Sequence, residues 1–310
     1  MKKLYTFAIA LLAIASASAQ TLVYSNNFDS GAGTSTIVGN GTIEPAAIAG
    51  YGSVFHNAAG GQGIRTNFLL LPDNVLAGSA VSKELTIAFW VNKGTAVDNY
   101  WTPIFSAYGA APVGGANTWP MMVLQSRLVA QVNCAGWTDL VNAENVTGTN
   151  FVSTAWLDDS AWHYYTATFT ETSVKIYVDG IVKNAWNVST TGGNTVNGLF
   201  SNGADLKYIC LGGNQAWNWA DPDPAYLFDD LAIYSNALTS EQITSNMNAK
   251  IITSAGSLTN SQSEVISEEF YTLTGAKAGN DYSKLGRGVF VKKSVYSNGE
   301  IKNSKIEKAL

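Results

Sequence analysis

Three sets of residues in this chain have types and spacings that could do chemistry. The first is His163, one of two histidines, in the stretch AWHYYTATFTETSVKIYVDG (residues 161–180) with Asp179 downstream. A histidine oriented by a carboxylate is the general-base half of a hydrolytic triad. The second is the paired acids Asp158–Asp159, Asp229–Asp230, and Asp221 with Asp223 in DPDP. A glycosidase needs two carboxyl groups about 5–9 Å apart across the bond it cleaves. The third is a set of aromatic residues among Gly, Asn, Asp and Pro: Trp217 and Trp219 in NQAWNWADPDPAY, Tyr100–Trp101, and Trp137. An aromatic face on a loop can pack on the C–H face of a sugar while polar neighbours take its hydroxyls.

The elements that carry these residues decide which chemistry is available. Strand-type alternation runs through 85–91, 121–126, 127–133, 162–169, 173–179, 206–212 and 227–234, with Gly, Asn, Asp, Ser and Thr clusters between. On the strand WHYYTATF, Trp162, Tyr164 and Thr166 share one face, and His163, Tyr165, Ala167 and Phe169 the other. Asp179–Gly180 supplies the two positive-φ residues of a tight hairpin turn. His163 and Asp179 are therefore read as scaffold, and no catalytic residue is assigned. Adjacent acids on a strand point to opposite faces, so Asp229–Asp230 cannot form one dyad. Trp217 and Trp219, two apart, would face the same way in an extended loop, whereas Trp90 and Trp162 belong to strands and to the core.

One helix stands out at ALTSEQITSNMNA (237–249), where Thr239 and Gln242 fit a capping box and Leu238 and Ile243 a hydrophobic staple. Many strands and few helical patterns make the fold all-β, a sandwich or barrel.

The ends of the chain bound its location and partners. Lys2 and Lys3 precede an apolar run from Leu4 to Ile14, and Ala17-Ser18-Ala19 gives an A-x-A cleavage pattern. Residues 1–19 read as a secretory signal peptide, which leaves no transmembrane helix in a mature chain that starts at Gln20. From residue 20 to 263 there are 8 basic and 17 acidic residues, against 8 and 6 from 264 to 310. The acidic balance excludes a nucleic-acid partner, which needs a basic footprint. All nine tryptophans lie before residue 220, and AKIITSAGSLTNSQSE lacks sustained periodicity. The reading is thus a domain over 20–249, a linker over 250–263 and a β-rich module over 264–310. In an oxidising compartment Cys134 and Cys210 are free to bridge, but Cys210 in LKYICLG reads equally as a buried thiol.

The string WHYYTATF, a short polar turn and VKIYVDG, together with LTIAFWVNKG, LKYICLGGN and FDDLAIYSNALTSEQI in that order, resembles laminin G-like domains of the concanavalin A-like lectin/glucanase superfamily. The resemblance covers about residues 21–250 and implies a two-sheet antiparallel jelly-roll sandwich with loops at the rim of one concave sheet. Members include sugar-binding modules, adhesion domains and some glycosidases, and the fold alone does not choose among them. Catalytic members often carry their acids as E-x-D-x-x-E on one strand, a pattern absent here. The implied function is therefore an exported, non-catalytic carbohydrate-binding or adhesion protein, its partner a glycan, a polysaccharide or a surface protein. A glycoside hydrolase and a structural surface protein are the alternatives. Trp217, Trp219, Trp101, Trp137 and Tyr100 are the candidate ligand contacts. Many relatives hold a structural Ca²⁺ where the first and last strands meet, which points to Asp29, Asp229 and Asp230.

The C-terminal stretch, with FYTLTG, GVFVKKSVY, a turn at SNG and the Lys-rich EIKNSKIEK, resembles the sorting domain of type IX secretion. That resemblance implies delivery to the exterior or outer surface of a Gram-negative bacterium, with the periplasm as the alternative.

Overall fold

The computed structural model describes residues 19–47, 51–59, 66–99, 102–109, 121–132, 138–139, 157, 159–188, 196–201, 203–213, 222–259, 265–272, 275–296 and 301–308. The chain divides into two compact units. The first runs to Met247 apart from Ala47–Tyr51, and the second takes those residues with Asn248–Leu310.

The strands of the first unit are β1 (Leu22–Asn26), β2 (Thr36–Val38), β3 (Thr42–Pro45), β4 (Ser53–His56), β5 (Phe68–Leu70), β6 (Glu84–Asn92), β7 (Pro103–Tyr108), β8 (Met122–Gln125), β9 (Val129–Val132), β10 (Thr138–Asp139), β11 (His163–Thr170), β12 (Ser173–Val178), β13 (Ile181–Asn187), β14 (Tyr208–Leu211) and β15 (Leu227–Tyr234). They form two antiparallel sheets. One has the order β13-β12-β11-β6-β15-β4-β3, with β1 also on β15, and the other the order β10-β9-β8-β7-β14-β5-β2.

The expected alternation places the core between the sheets. Leu85, Ile87, Phe89 and Val91 of β6, Tyr165, Ala167 and Phe169 of β11, and Phe228 and Ile233 of β15 face Phe105, Ala107, Met122, Leu124, Ile209 and Leu211 of the second sheet. Phe89 stacks on Tyr165 at 5.1 Å and meets Phe228 edge-on at 5.7 Å. Truncating such a buried ring costs about 3–5 kcal/mol. Trp90 is also buried, but on the opposite face of β6, where its ring lies 5.4 Å from that of Tyr164. The all-β, jelly-roll-type antiparallel sandwich is the fold of this unit.

The hairpin of β12 and β13 turns through Asp179 and Gly180 at φ 53° and 76°, the two positive values that this tight turn needs. The capping box also forms. The Thr239 N–H donates to Gln242 Oε1 at 2.9 Å and the Gln242 N–H to Thr239 Oγ1 at 3.3 Å, with Leu238 and Ile243 buried beneath. Thr86 of the central strand ties this helix down, donating to Asn236 O at 2.7 Å and accepting the Leu238 N–H at 2.9 Å.

The helix departs from expectation at its far end. It spans Ser240–Thr259 and runs through the stretch whose composition reads as linker. That stretch has no proline, and Ser, Thr and Asn cost a solvated helix little, so polar composition alone does not end it. Among the described residues no helix is long and apolar enough to cross a membrane.

The second unit holds β16 (Val265–Thr272), β17 (Lys277–Gly279), β18 (Gly288–Tyr296) and β19 (Ile301–Lys308) in one antiparallel sheet of order β17-β16-β18-β19.

Candidate functional site

Strand direction gathers several connections at one end of the sandwich. Asn92 ends β6 opposite Leu227, where β15 begins, and Leu211 ends β14 opposite Phe105 near the start of β7. Pro103 pairs with Gln125, the last residue of β8. This rim therefore receives the β6–β7, β8–β9 and β14–β15 connections.

A partly buried ion cluster fastens two of them together. Asp98 Oδ1 accepts from Lys93 Nζ at 2.9 Å and from Arg127 Nη2 at 2.9 Å, while Oδ2 accepts from Arg127 Nε at 3.1 Å and from Ser126 Oγ at 3.0 Å. Burial pushes the Asp98 carboxyl up, but the hydrogen bonds from Lys93, Arg127 and Ser126 outweigh it and hold the group below the usual carboxylate range. The neighbouring Tyr226 is fully buried, and its phenol is pushed up by burial first and by the Asp98 charge second. Sequence reading passed over this cluster because its members come from different connections. One signal was present: Asp98 is the sole charged residue between Lys93 and Arg127.

The five candidate ligand contacts, Tyr100, Trp101, Trp137, Trp217 and Trp219, lie outside the described residues, but the residues that bracket them are described. Asn99 and Thr102 bracket Tyr100–Trp101. Both lie against Ser126, whose N–H donates to Thr102 O at 2.8 Å and whose Oγ, sharing its one proton with Asp98 Oδ2, lies 3.1 Å from Asn99 O. Gly212 and Pro224 bracket Trp217 and Trp219. The Gly212 N–H donates to Ile104 O at 2.8 Å, and Asn57 Nδ2 donates to Gly212 O at 2.6 Å and to Pro224 O at 3.0 Å. These two segments thus leave the same rim. The brackets of Trp137 do not join them, since Val132 pairs with Met122, and Met122 with Ala107, at the opposite end of the sheet.

The face of the second sheet away from the core carries Ser106, Tyr108, Val123, Gln125, Gln131 and Tyr208. Gln125 Nε2 donates to Gln131 Oε1 at 2.8 Å, and Ser106 Oγ donates to Gly213 O at 2.6 Å. Tyr108 and Val123 form a small buried cluster with the partly exposed Tyr208, whose ring meets Phe68 at 5.7 Å. Ser106, Tyr108, Val123, Gln125 and Gln131 are all buried, so these groups serve packing and internal hydrogen bonds rather than an open ligand surface.

His163 and Asp179 do meet. His163 Nδ1 lies 2.8 Å from Asp179 Oδ2 and Nε2 lies 3.0 Å from Asp159 Oδ1, so both ring nitrogens are engaged. Asp179 Oδ1 accepts the Tyr164 N–H at 2.9 Å. The bond to Asp179 above all, and then that to Asp159, raises the His163 pKa against the lowering effect of burial.

Asp29, Asp229 and Asp230 come to one junction. β15 pairs with β4 through Leu227 and Phe228 and with β1 from Leu231 onward, and the register shifts between Asp229 and Ala232. Asp230 takes φ 46° at this bulge, and its N–H donates to Asp229 Oδ1 at 2.7 Å. Asp29 Oδ1 accepts the Ser53 N–H at 2.8 Å and Oδ2 accepts from Asn27 Nδ2 at 2.9 Å. Ca²⁺ takes 6–8 oxygen ligands, and among the described residues no group of three or more His, Cys, Asp or Glu is arranged to hold a metal. Asp29 closes β1 onto β4, and Asp229 stabilises the bulge.

Cys210 is a free thiol buried in β14, and Cys134 lies outside the described residues. Burial pushes the Cys210 thiol up.

The comparison with curated proteins finds no match. Similar solved structures include domain 4 of AbnA, a GH43 extracellular arabinanase from Geobacillus stearothermophilus, in complex with arabinotriose. It is 18% identical over 73% of this chain and 98% of that chain, with a TM-score of 0.48. The binding domain of Botulinum Neurotoxin DC in complex with SialylT is 13% identical over 87% of this chain and 68% of that one, with a TM-score of 0.43. The same domain in complex with rat synaptotagmin II is 13% identical over the same shares, with a TM-score of 0.44. A laminin G-type family model described as the Concanavalin A-like lectin/glucanases superfamily matches residues 62–244, more than half of the chain, and the chain belongs to that family.

Proposed function

We propose that this chain is an exported, non-catalytic carbohydrate-binding or adhesion protein whose ligand seats at the rim carrying Tyr100–Trp101 and Trp217–Trp219. The observation that supports this most is the shared anchoring of the two segments. Asn99 and Thr102 lie against Ser126, and Gly212 is bonded to Ile104, two residues beyond Thr102. Two aromatic-bearing connections from distant parts of the sequence are thereby tied to one end of a lectin-type sandwich. Among the described acids, Asp98, Asp159, Asp179, Asp29 and Asp229 each bond a cationic or backbone donor. Trp137, whose described brackets lie at the other end of the sheet, is not assigned to this rim. Export rests on the signal-type segment at residues 1–19, and the second unit serves as the sorting module that its sequence resembles.

The test is a glycan-array screen of the mature chain, residues 20–310, with Ca²⁺ and with chelator. A bound glycan that Trp217→Ala and Trp219→Ala weaken, from protein that still folds, supports the rim. Normal binding by both variants removes the site from this rim. Release of reducing ends from polysaccharide would turn the reading to a glycoside hydrolase, and folded protein that binds no glycan would turn it to a protein-binding surface module.

A further inference from the structure

The second unit contains a groove that the rim site does not use. It has a volume of about 570 Å³ and is lined by Glu268, Phe270, Tyr282, Lys292 and Ile306. Strand register explains the grouping. Glu268 and Phe270 are two apart on β16 and share a face, Lys292 of β18 is paired with Phe270, and Ile306 of β19 is paired with Phe290 of β18. The β17–β18 connection supplies the wall, with its single 3₁₀ turn at Tyr282–Lys284.

That wall is held firmly. Asp281 Oδ1 accepts the Ser283 N–H at 2.9 Å and the Ser283 hydroxyl at 2.7 Å. From β19, Lys308 Nζ donates to Tyr282 O at 2.7 Å and to Ser283 O at 2.8 Å. Leu285 is buried behind the turn, and the Tyr282 ring leans on Phe270 with centroids 5.9 Å apart. Tyr282 nevertheless stays 46% exposed, although a phenol ring gains free energy by burial. On the groove floor, Lys292 Nζ lies 2.7 Å from Glu268 Oε1, with 30% and 35% of the two side chains exposed. An ion pair this accessible gains little stability from its own attraction. Its chemistry is the more specific feature: an acceptor and a donor side by side, next to an exposed ring and an apolar floor.

We propose that this groove binds a saccharide unit, independently of the rim on the first unit. The C–H face of a pyranose packs against the part of Tyr282 left exposed beside Lys308, whose Nζ lies 5.1 Å from that ring's centroid, with Ile306 and Phe270 below; one hydroxyl donates to Glu268, and a neighbouring one accepts from Lys292. The volume lies within the roughly 300–1,000 Å³ range of small-ligand sites and takes one or two sugar rings. A ligand of wholly apolar character would leave the desolvated ion pair unpaid by hydrogen bonds, and a simple anion would meet Glu268.

The experiment follows the Ile306 methyl and Tyr282 ring NMR signals of the mature chain, residues 20–310, during titration with glucose, galactose, N-acetylglucosamine and cellobiose. At least one sugar is expected to shift both signals saturably. Tyr282→Ala and Glu268→Gln, at the surface of the turn and in a partly exposed pair, should each weaken that binding about tenfold, the loss of roughly 1.4 kcal/mol, while the remaining signals of the second unit keep their folded dispersion. The proposal is overturned if no sugar moves these signals, if sugars bind but move signals of the first unit alone, or if both variants bind unchanged. Because the reporters sit in the second unit, failure here and failure of the rim reading are separate results.

Discussion

His163 Nδ1 lies 2.8 Å from Asp179 Oδ2, and the same imidazole presents Nε2 to Asp159 at 3.0 Å. Ionised carboxylates only accept, and a neutral imidazole has one N–H, so both contacts are satisfied together by the imidazolium. The charged ring thereby links the start of β11 to the β12–β13 turn and to the preceding loop. Ser160 of that loop carries the link to the rim, its carbonyl accepting from Asn92 Nδ2 at 2.8 Å and its hydroxyl donating to Gly94 O at 3.0 Å.

This link makes stability depend on pH with a definite sign. The folded pKa of His163 is raised, so the folded chain holds the proton more tightly than the unfolded one. The stabilisation is complete below the unfolded value of about 6.5 and is lost as pH rises through the folded value. The melting temperature should fall over that window, and His163→Phe should remove this part of the fall. A profile unchanged by the substitution would deny the imidazolium its role.

Asp98 should be among the most sensitive polar positions. Its side chain is 4% exposed and neutralises Lys93 and Arg127, which are 10% and 18% exposed. Asp98→Ala removes the carboxylate that both cations share, and removing one partner of such a cluster costs about 3–5 kcal/mol. Chemical denaturation reads this directly. Glycan affinity should drop in the same variant, because the segments next to Tyr100–Trp101 lose their fastening.

The junction aspartates give a test of calcium. Since Asp29 bonds Ser53 and Asp229 bonds Asp230, saturating Ca²⁺ should leave the melting temperature where chelator leaves it, while Asp29→Ala should lower it in both conditions. A melting temperature that climbs with Ca²⁺ and loses the climb in Asp29→Ala would assign a cation to the junction.

Cys210 should resist thiol reagents in the native protein and react fully in denaturant, because it is fully buried and the thiolate is disfavoured there. Peptide mapping without reduction should recover Cys210 unbridged, and a Cys134–Cys210 peptide would contradict the free thiol.

The sequence by itself determined what is local. Alternation in WHYYTATF and VKIYVDG marked β11 and β12 and their inward faces, Asp179–Gly180 marked the turn, and Thr239 with Gln242 marked the start of the helix, because each is encoded within a few residues. The end of that helix was not legible, since Ser- and Asn-rich composition fits a linker and a solvated helix alike. Tertiary structure decided what strand order and register bring together. It brought Arg127 of the β8–β9 connection to Asp98 and Lys93 of the β6–β7 connection and placed the brackets of Tyr100–Trp101 beside those of Trp217–Trp219. It sent those of Trp137 to the opposite end, because β9 runs back along β8. It also settled the partners of Asp29 and Asp229, since the change of β15 from β4 to β1 opens a bulge whose backbone N–H groups need acceptors. Side-chain type announces which chemistry is available, and chain crossing, which no local pattern records, decides which groups meet.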